Sequence, residues 1–237
     1  MSSKNKLKIL EIKRKEEKEK YITPEPLPPH CFQMLILAPV RSGKSLFVTN
    51  VCMNENFYGK KYWDEIILFS PTQTFDKTLI HLDKMKNLTR IYEHEDLLNM
   101  APLLHEIMTQ QSEAKPEERK RILIIFDDMI QYLNKNSSVV QGLATRFRHY
   151  NISCIYSVQL YRALSPAIRN NITCMIVFKL SSDRETDKLD EEIGETMTKD
   201  FKKYLAECTK EKYSFMYANI WEQKIYKRFE TLIWEKE

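Results

Sequence analysis

Two short stretches carry the side chains best suited to do chemistry. The first is Ala38-Pro39-Val40-Arg41-Ser42-Gly43-Lys44-Ser45, which fits the phosphate-loop pattern G-x-x-x-x-G-K-[ST] except at its first position, where Ala38 replaces glycine. In such a loop, backbone N–H groups and the N-terminus of the following helix point at the β- and γ-phosphates, and the helix dipole favours their negative charge. Gly43 would permit close backbone approach, Lys44 would reach the β/γ oxygens, and Ser45 would offer its hydroxyl to Mg²⁺. Residues 38–45 are therefore the candidate ATP-binding segment. Arg41 is either a solvated cation or an added charge near the phosphates, and its residue type does not choose between them.

The second stretch is Ile122-Leu-Ile-Ile-Phe-Asp127-Asp128, an apolar run ending in two carboxylates. Carboxylates at the C-terminal end of a strand in a doubly wound sheet face the ligand crevice. Asp127 is expected to hold Mg²⁺ through water, together with Ser45. Asp128 is expected to be the base that polarises an attacking water, although an aspartate reaches one methylene less far than glutamate.

These groups need a scaffold that brings them to one edge. Short apolar runs at Phe32–Leu37, Glu65–Phe69, Ile122–Phe126, Ile152–Val158 and Thr173–Leu180 read as buried strands. Amphipathic stretches between them read as helices over Lys44–Met53, Thr74–Lys86, Asp96–Gln110, Val139–Phe147 and Pro166–Asn170. Continuous apolar strands separated by helices indicate a mostly parallel central sheet with helices on both faces. The expected class is α/β, a P-loop NTPase fold. Beyond residue 180 the pattern changes to a charged helical segment, Asp183–Cys208, and a C-terminal β-hairpin of Tyr213–Ile220 and Lys224–Trp234. The acidic segment 183–211 reads as a solvated face or as an interface helix.

The order of the later motifs narrows the family. Gln159 ends the apolar strand Ile152–Val158 beside the acid pair, after Arg146-Phe-Arg148, and Leu164-Ser-Pro-Ala-Ile-Arg169 leads into the next strand. Together with the acid pair and the late Tyr213-Ser-Phe-Met-Tyr-Ala segment, the chain from about 31 to 234 resembles the poxvirus-type genome-packaging ATPases of the FtsK–HerA superfamily. The resemblance implies an ATP-hydrolysing, Mg²⁺-dependent, homo-oligomeric ring that drives double-stranded DNA into a viral capsid. It implies a sensor role for Gln159 and an arginine finger acting across the subunit interface, for which Arg148 and Arg169 are candidates, with Arg146 behind them. It also implies a location in the virion or host-cell cytoplasm, at the viral factory, and capsid or portal-vertex proteins as further partners. DNA contact through pore-facing loops and a basic arm would be mostly to phosphates, and so independent of sequence and sensitive to salt. Two other functions fit the same motifs: another P-loop DNA pump or helicase, and a nucleotide-binding assembly or regulatory protein with little hydrolysis.

Charge and composition set the outer limits. The 237 residues carry a net charge of +4, and the first twenty alone, with 8 basic and 4 acidic side chains, equal that excess. The basic pI thus belongs to an arm and does not describe a DNA-coating core. Pro24, Pro26, Pro28 and Pro29 follow the arm and read as an extended linker, which divides an arm and linker over 1–30 from an ATPase domain over 31–237, with its core at 31–180. No apolar run approaches the roughly 20 residues needed to cross a bilayer, and the N-terminus has no apolar segment of the secretory kind, so neither a membrane span nor secretion is expected. Five cysteines without a Cys-x-x-Cys pair read as free thiols in a reducing compartment. Only four glycines occur where average usage of about 7% gives roughly sixteen; one of the four is Gly43.

Overall fold

The computed structural model describes residues 22–236 except 60, 73, 74, 86, 92, 93 and 136. The charged arm expected over residues 4–20 lies outside them. Nine strands among the described residues form one sheet: β1 (Gln33–Leu37), β2 (Glu65–Phe69), β3 (Leu88–Ile91), β4 (Ile122–Asp127), β5 (Ile152–Val158), β6 (Cys174–Phe178), β7 (Phe215–Asn219), β8 (Lys224–Lys227) and β9 (Thr231–Glu235). Their order is β3-β2-β4-β5-β1-β6-β7-β8-β9. The first six in that order are parallel, and β7, β8 and β9 continue the sheet antiparallel. The α/β class with a mostly parallel sheet is borne out.

Alternation along the strands builds two cores. Leu35 and Leu37, Ile67 and Phe69, Ile124 and Phe126, and Cys154 and Tyr156 face one layer. That layer is closed by Leu104 and Met108 of the helix Met100–Glu113, Leu143 and Ala144 of the helix Ser137–Arg146, and Phe201 and Leu205 of the helix Phe201–Cys208. Met34 and Ile36, Ile66 and Leu68, Leu123 and Ile125, and Cys174 and Ile176 face the opposite layer. There Phe47, Val48, Val51 and Cys52 of α1 (Lys44–Met53) cover them. Continuous apolar strands are thus explained by burial on both sides.

Several expected elements are corrected. The strand expected over Lys224–Trp234 is two strands, β8 and β9, joined by a turn in which Arg228 takes a φ of 55°. The helix expected over Thr74–Lys86 is, in its described part, a 3₁₀ segment at Leu79–Lys84. The helix expected over Asp96–Gln110 breaks at Asn99 into His94–Leu98 and Met100–Glu113, with Pro102 tolerated in the first turn of the second. The segment Asp183–Cys208 is likewise interrupted, by a π-turn at Asp190–Gly194 and an extended Thr198. At Gly194 a Cβ would stand 2.7 Å from the Phe201 ring, so the close packing of these two pieces requires glycine. Strand β3 has no sequence signal, because Leu88-Thr-Arg-Ile has neither an apolar run nor alternation and sits at the sheet edge.

The Pro-rich stretch lies against the body. Leu27 is buried, Tyr58 donates its hydroxyl to the Pro28 carbonyl (2.7 Å), and the His30 backbone N–H donates to the Tyr62 hydroxyl (3.2 Å). All five cysteines are free thiols. No helix among the described residues is long and apolar enough to cross a membrane.

Candidate functional site

The register of the parallel strands decides which residues meet. Leu37 pairs with Val158, Asp127 with Ser157, and Phe69 with Phe126. The carboxyl ends of β1, β2, β4 and β5 are therefore level, and the residues just after them converge at one edge. Ala38 extends the ladder by donating its N–H to the Val158 carbonyl (3.1 Å), and its methyl group is fully buried against the α1 layer. A side chain at this position is thus part of the core, which accounts for alanine where the pattern has glycine.

The chain then turns through Pro39–Ser42 into α1. Arg41 (φ 62°) and Gly43 (φ 104°) both take left-handed conformations, and Gly43 is the N-cap of α1, its carbonyl accepting from the Phe47 N–H at 3.0 Å. Lys44 is buried, and its ammonium donates to an Asp128 carboxylate oxygen at 2.5 Å. Asp128 itself takes a φ of 50°, which aspartate tolerates better than most residues, and its N–H is held by the Ser157 carbonyl (2.9 Å). Gln159, one residue past β5, directs its amide at the same Asp128 oxygen (3.4 Å). Residues 39–45, Asp128 and Gln159 line a single cavity of about 400 Å³.

Asp127 is 2% exposed and held by both neighbouring strands, accepting from Ser157 (2.7 Å) on β5 and from Ser70 (3.2 Å) just after β2. Burial raises its carboxyl above the usual range, the Asp128 charge adds to the rise, and the two serines and Lys44 oppose it. A third carboxylate, which carried no motif, also belongs to this edge. Asp76 accepts the Ser45 hydroxyl at 2.6 Å and caps the following turn by accepting the N–H groups of Thr78 (2.7 Å) and Leu79 (3.1 Å). Burial would raise its pKa, but the bonds from Ser45, Leu79 and Thr78 prevail and lower it, so it is anionic. Its only signal in the sequence was its place after the Ser70-Pro71 end of β2.

Ser45, Asp76 and Asp127 supply hydroxyl and carboxylate oxygens, the donors that Mg²⁺ prefers. Among the described residues no group of three or more His, Cys, Asp or Glu side chains could hold a metal by itself. An ion here would share its coordination with phosphate oxygens, as Mg²⁺ sites commonly do.

The candidate finger arginines are not part of this cavity. Arg148 precedes β5, at the opposite sheet edge. The seven residues of β5, each rising about 3.3 Å, put it roughly 20 Å from the phosphate loop. It is exposed and stacks over Trp221 (5.1 Å) and Phe147 (5.4 Å). Arg146 lies over Tyr150 on the same side. Arg169 grips Glu192 through two bonds (2.8 and 2.9 Å) and donates a third to the Leu164 carbonyl (2.7 Å).

Comparison with known proteins bears out the resemblance read from the motifs. The poxvirus A32 protein family matches residues 19–226. No curated protein matches the chain in sequence. Among solved structures it is similar to B204, the DNA-packaging ATPase from Sulfolobus turreted icosahedral virus, at 16% identity and a TM-score of 0.57, over 87% of this chain and 98% of that one. It is also similar to the genome-packaging NTPase B204 from Sulfolobus turreted icosahedral virus 2 in complex with AMPPCP, at 15% identity and a TM-score of 0.57, over 84% and 97%. A third likeness is to EssC from Geobacillus thermodenitrificans, at 12% identity and a TM-score of 0.52, over 67% of this chain and 34% of that one. The chain belongs to the poxvirus A32 protein family, and its fold is that of the viral genome-packaging P-loop ATPases.

Proposed function

We propose that this P-loop ATPase couples ATP hydrolysis to the movement of double-stranded DNA into a viral capsid, working as a homo-oligomeric ring. The observation that supports this reading most is the gathering of Lys44, Ser45, Asp128 and Gln159 around one cavity at the carboxyl edge of the sheet. The β- and γ-phosphates sit on the N–H groups of the loop at the α1 N-terminus. Lys44 turns from Asp128 to the phosphate oxygens, which frees the Asp128 carboxylate to take a proton from the attacking water. Gln159, already directed at Asp128, orients that water. Ser45 and Asp76, with Asp127 behind them, would hold magnesium, which when bound neutralises charge developing on the transferred phosphoryl.

A cation supplied in trans completes such a site. Arg148 is the better candidate because it is exposed on the subunit surface, whereas Arg169 would first have to leave Glu192. DNA contact falls to pore-facing loops and to the basic arm within residues 1–30, attached to the domain at 31–237. Capsid or portal-vertex proteins are the remaining partners, and the virion or host-cell cytoplasm is where such a motor works.

The test is ATP turnover with and without double-stranded DNA. DNA-stimulated turnover that disappears in Lys44→Ala and Asp128→Asn is expected. Turnover indifferent to DNA and to both substitutions would refute the motor. For the finger, mixing Arg148→Ala with Lys44→Ala subunits should restore part of the activity, since some interfaces then pair an intact loop with an intact arginine. No recovery in mixed rings excludes Arg148.

A further inference from the structure

Arg148 is held in place without being neutralised. It stands in the 3₁₀ turn Phe147–Tyr150, which Asn151, at a left-handed φ of 55°, closes by donating its N–H to the Arg148 carbonyl (3.3 Å). The guanidinium lies over two rings, Trp221 and Phe147, which are themselves stacked with centroids 6.5 Å apart and planes 21° from parallel. Phe147 is buried in the domain, whereas Trp221 is 46% exposed. Trp221 belongs to the turn at 220–223 between β7 and β8. That turn is pinned by the N–H groups of Ile220 (3.0 Å) and Trp221 (3.4 Å), which donate to the Thr173 carbonyl, and by the Glu222 N–H, which donates to the buried Asn219 side chain (3.1 Å). Glu222, the carboxylate next to Trp221 in the chain, is engaged by Lys224 (3.4 Å). Among the described residues nothing accepts a hydrogen bond from the Arg148 guanidinium, so its face is covered and its in-plane N–H donors are open. Arg162 and Arg169 are instead bound to Glu185 and Glu192.

We propose that Trp221 is a positioning residue for the trans cation: its indole, backed by Phe147, holds the Arg148 guanidinium ready for the phosphate cavity of a second copy of this chain. The inference rests on the finger reading above and adds the group that sets the finger's direction. An arginine side chain is long, and on a bare surface it samples many directions. Stacking on an aromatic face fixes its plane and leaves its N–H groups free. A carboxylate partner would fix it as well, but would occupy the donors that a phosphoryl group needs. Tryptophan offers the strongest such face among the side chains. The location fits a second copy. Arg148 and the phosphate cavity lie at opposite edges of one sheet, roughly 20 Å apart, so they do not meet within a chain. Head-to-tail contact brings one copy's edge onto the other's and, where the rotation closes, repeats into a ring. The receiving cavity is lined by the Asp76 and Asp128 carboxylates and takes a triphosphate, so its charge complements the guanidinium. An exposed tryptophan beside an arginine is also the pairing of residue types that dominates protein interfaces. The β7–β8 hairpin thereby acquires a role at the far edge, because its turn supplies Trp221.

The experiment measures ATP turnover by the full chain with double-stranded DNA present. Trp221→Ala should lower kcat about fivefold to thirtyfold and leave KM for ATP within about twofold of wild type. Trp221→Phe, which keeps a ring face, should recover most of the rate. Trp221→Leu, apolar and of similar bulk but without a ring, should not. The double variant Arg148→Ala, Trp221→Ala should be no slower than Arg148→Ala alone, because a bracket without its arginine has nothing to hold. Mixing Trp221→Ala with Lys44→Ala subunits should recover turnover, since the bracket acts on the neighbour's site. A wild-type kcat in Trp221→Ala or Trp221→Leu, with Arg148→Ala impaired, overturns the bracket and leaves the finger reading intact. A double variant slower than Arg148→Ala, or no recovery on mixing, overturns the bracket too, as a merely structural role for Trp221 would give both. A wild-type kcat in Arg148→Ala overturns finger and bracket together.

Discussion

Replacing Asp128 by asparagine should tighten ATP binding while it abolishes turnover. The Lys44 side chain is 8% exposed, and its ammonium meets the Asp128 carboxylate at 2.5 Å. Two opposite charges about 4 Å apart attract by about 4 kcal/mol at the effective dielectric of a protein surface, and much of that offsets the burial of the ammonium. The ammonium can still donate to the asparagine carbonyl, so the substitution removes only the contribution of the second charge, about 1–2 kcal/mol. Wild type surrenders that contribution when Lys44 turns to the phosphates, and the variant does not. Removing a negative charge beside the triphosphate acts in the same direction. ATP should therefore bind roughly fivefold to thirtyfold more tightly to Asp128→Asn. The variant without nucleotide should be less stable by about the same 1–2 kcal/mol, because a buried ammonium has lost its counter-charge. Turnover should fall by about 10²–10⁴, since an amide cannot take the proton of the attacking water. Isothermal titration at fixed salt gives the affinity, and single-turnover kinetics give the chemistry. An asparagine variant that binds ATP no tighter than wild type would refute the proposed exchange of partners by Lys44.

Asp76 should separate structure from metal binding. Asp76→Ala loses two capping bonds and the Ser45 bond and should cost about 1–2 kcal/mol in denaturant unfolding, whereas Asp76→Asn keeps an acceptor for the caps yet should reduce the gain in ATP affinity that Mg²⁺ confers. Arg169→Ala leaves Glu192 with Lys188 and Tyr161 as partners and should destabilise the fold by about 1–2 kcal/mol in the same assay; a variant as stable as wild type would reopen Arg169 as the finger. His30 gives the pH dependence. Burial pushes its pKa down from 6.5 to about 4, and its ring is held neutral between the Asn151 carbonyl and Ser153. An imidazole depressed by folding takes up its proton more readily in the unfolded chain, so this stability is complete above pH 6.5 and is lost as pH falls towards 4, by at most about 3 kcal/mol. Unfolding free energies measured from pH 7 to 4 should show that loss in wild type and a flatter profile in His30→Gln.

Local pattern was enough for the parts of this protein that one strand or one helix specifies. Five apolar runs became β1, β2, β4, β5 and β6, and α1 runs over Lys44–Met53 as its residues predict. The phosphate loop and the acid pair were legible because each is contiguous and their chemistry depends on residue type and spacing. Elements whose form depends on neighbours were not. Edge strand β3 has neither an apolar run nor alternation, and the split of the last strand rests on a turn at Arg228, whereas the break at Asn99 had a mark in Pro102, which lacks the N–H to continue the helix from Leu98.

The site divides in the same way. Residue types and spacing nominated Lys44, Ser45, Asp127 and Asp128, because the phosphate loop and the acid pair support one another, whereas Gln159 was nominated by the family resemblance. Only the register of β1, β2, β4 and β5 decided that Asp128 holds Lys44, that Asp127 is locked between Ser70 and Ser157, and that Asp76 joins Ser45. Only the tertiary fold moved Arg148 to the far edge and gathered Phe47, Phe57, Phe215 and Phe229 from both ends of the chain into one pocket. The physical reason is that contacts between residues far apart in the chain are created by packing and strand pairing, and no local periodicity encodes which distant side chain will be opposite.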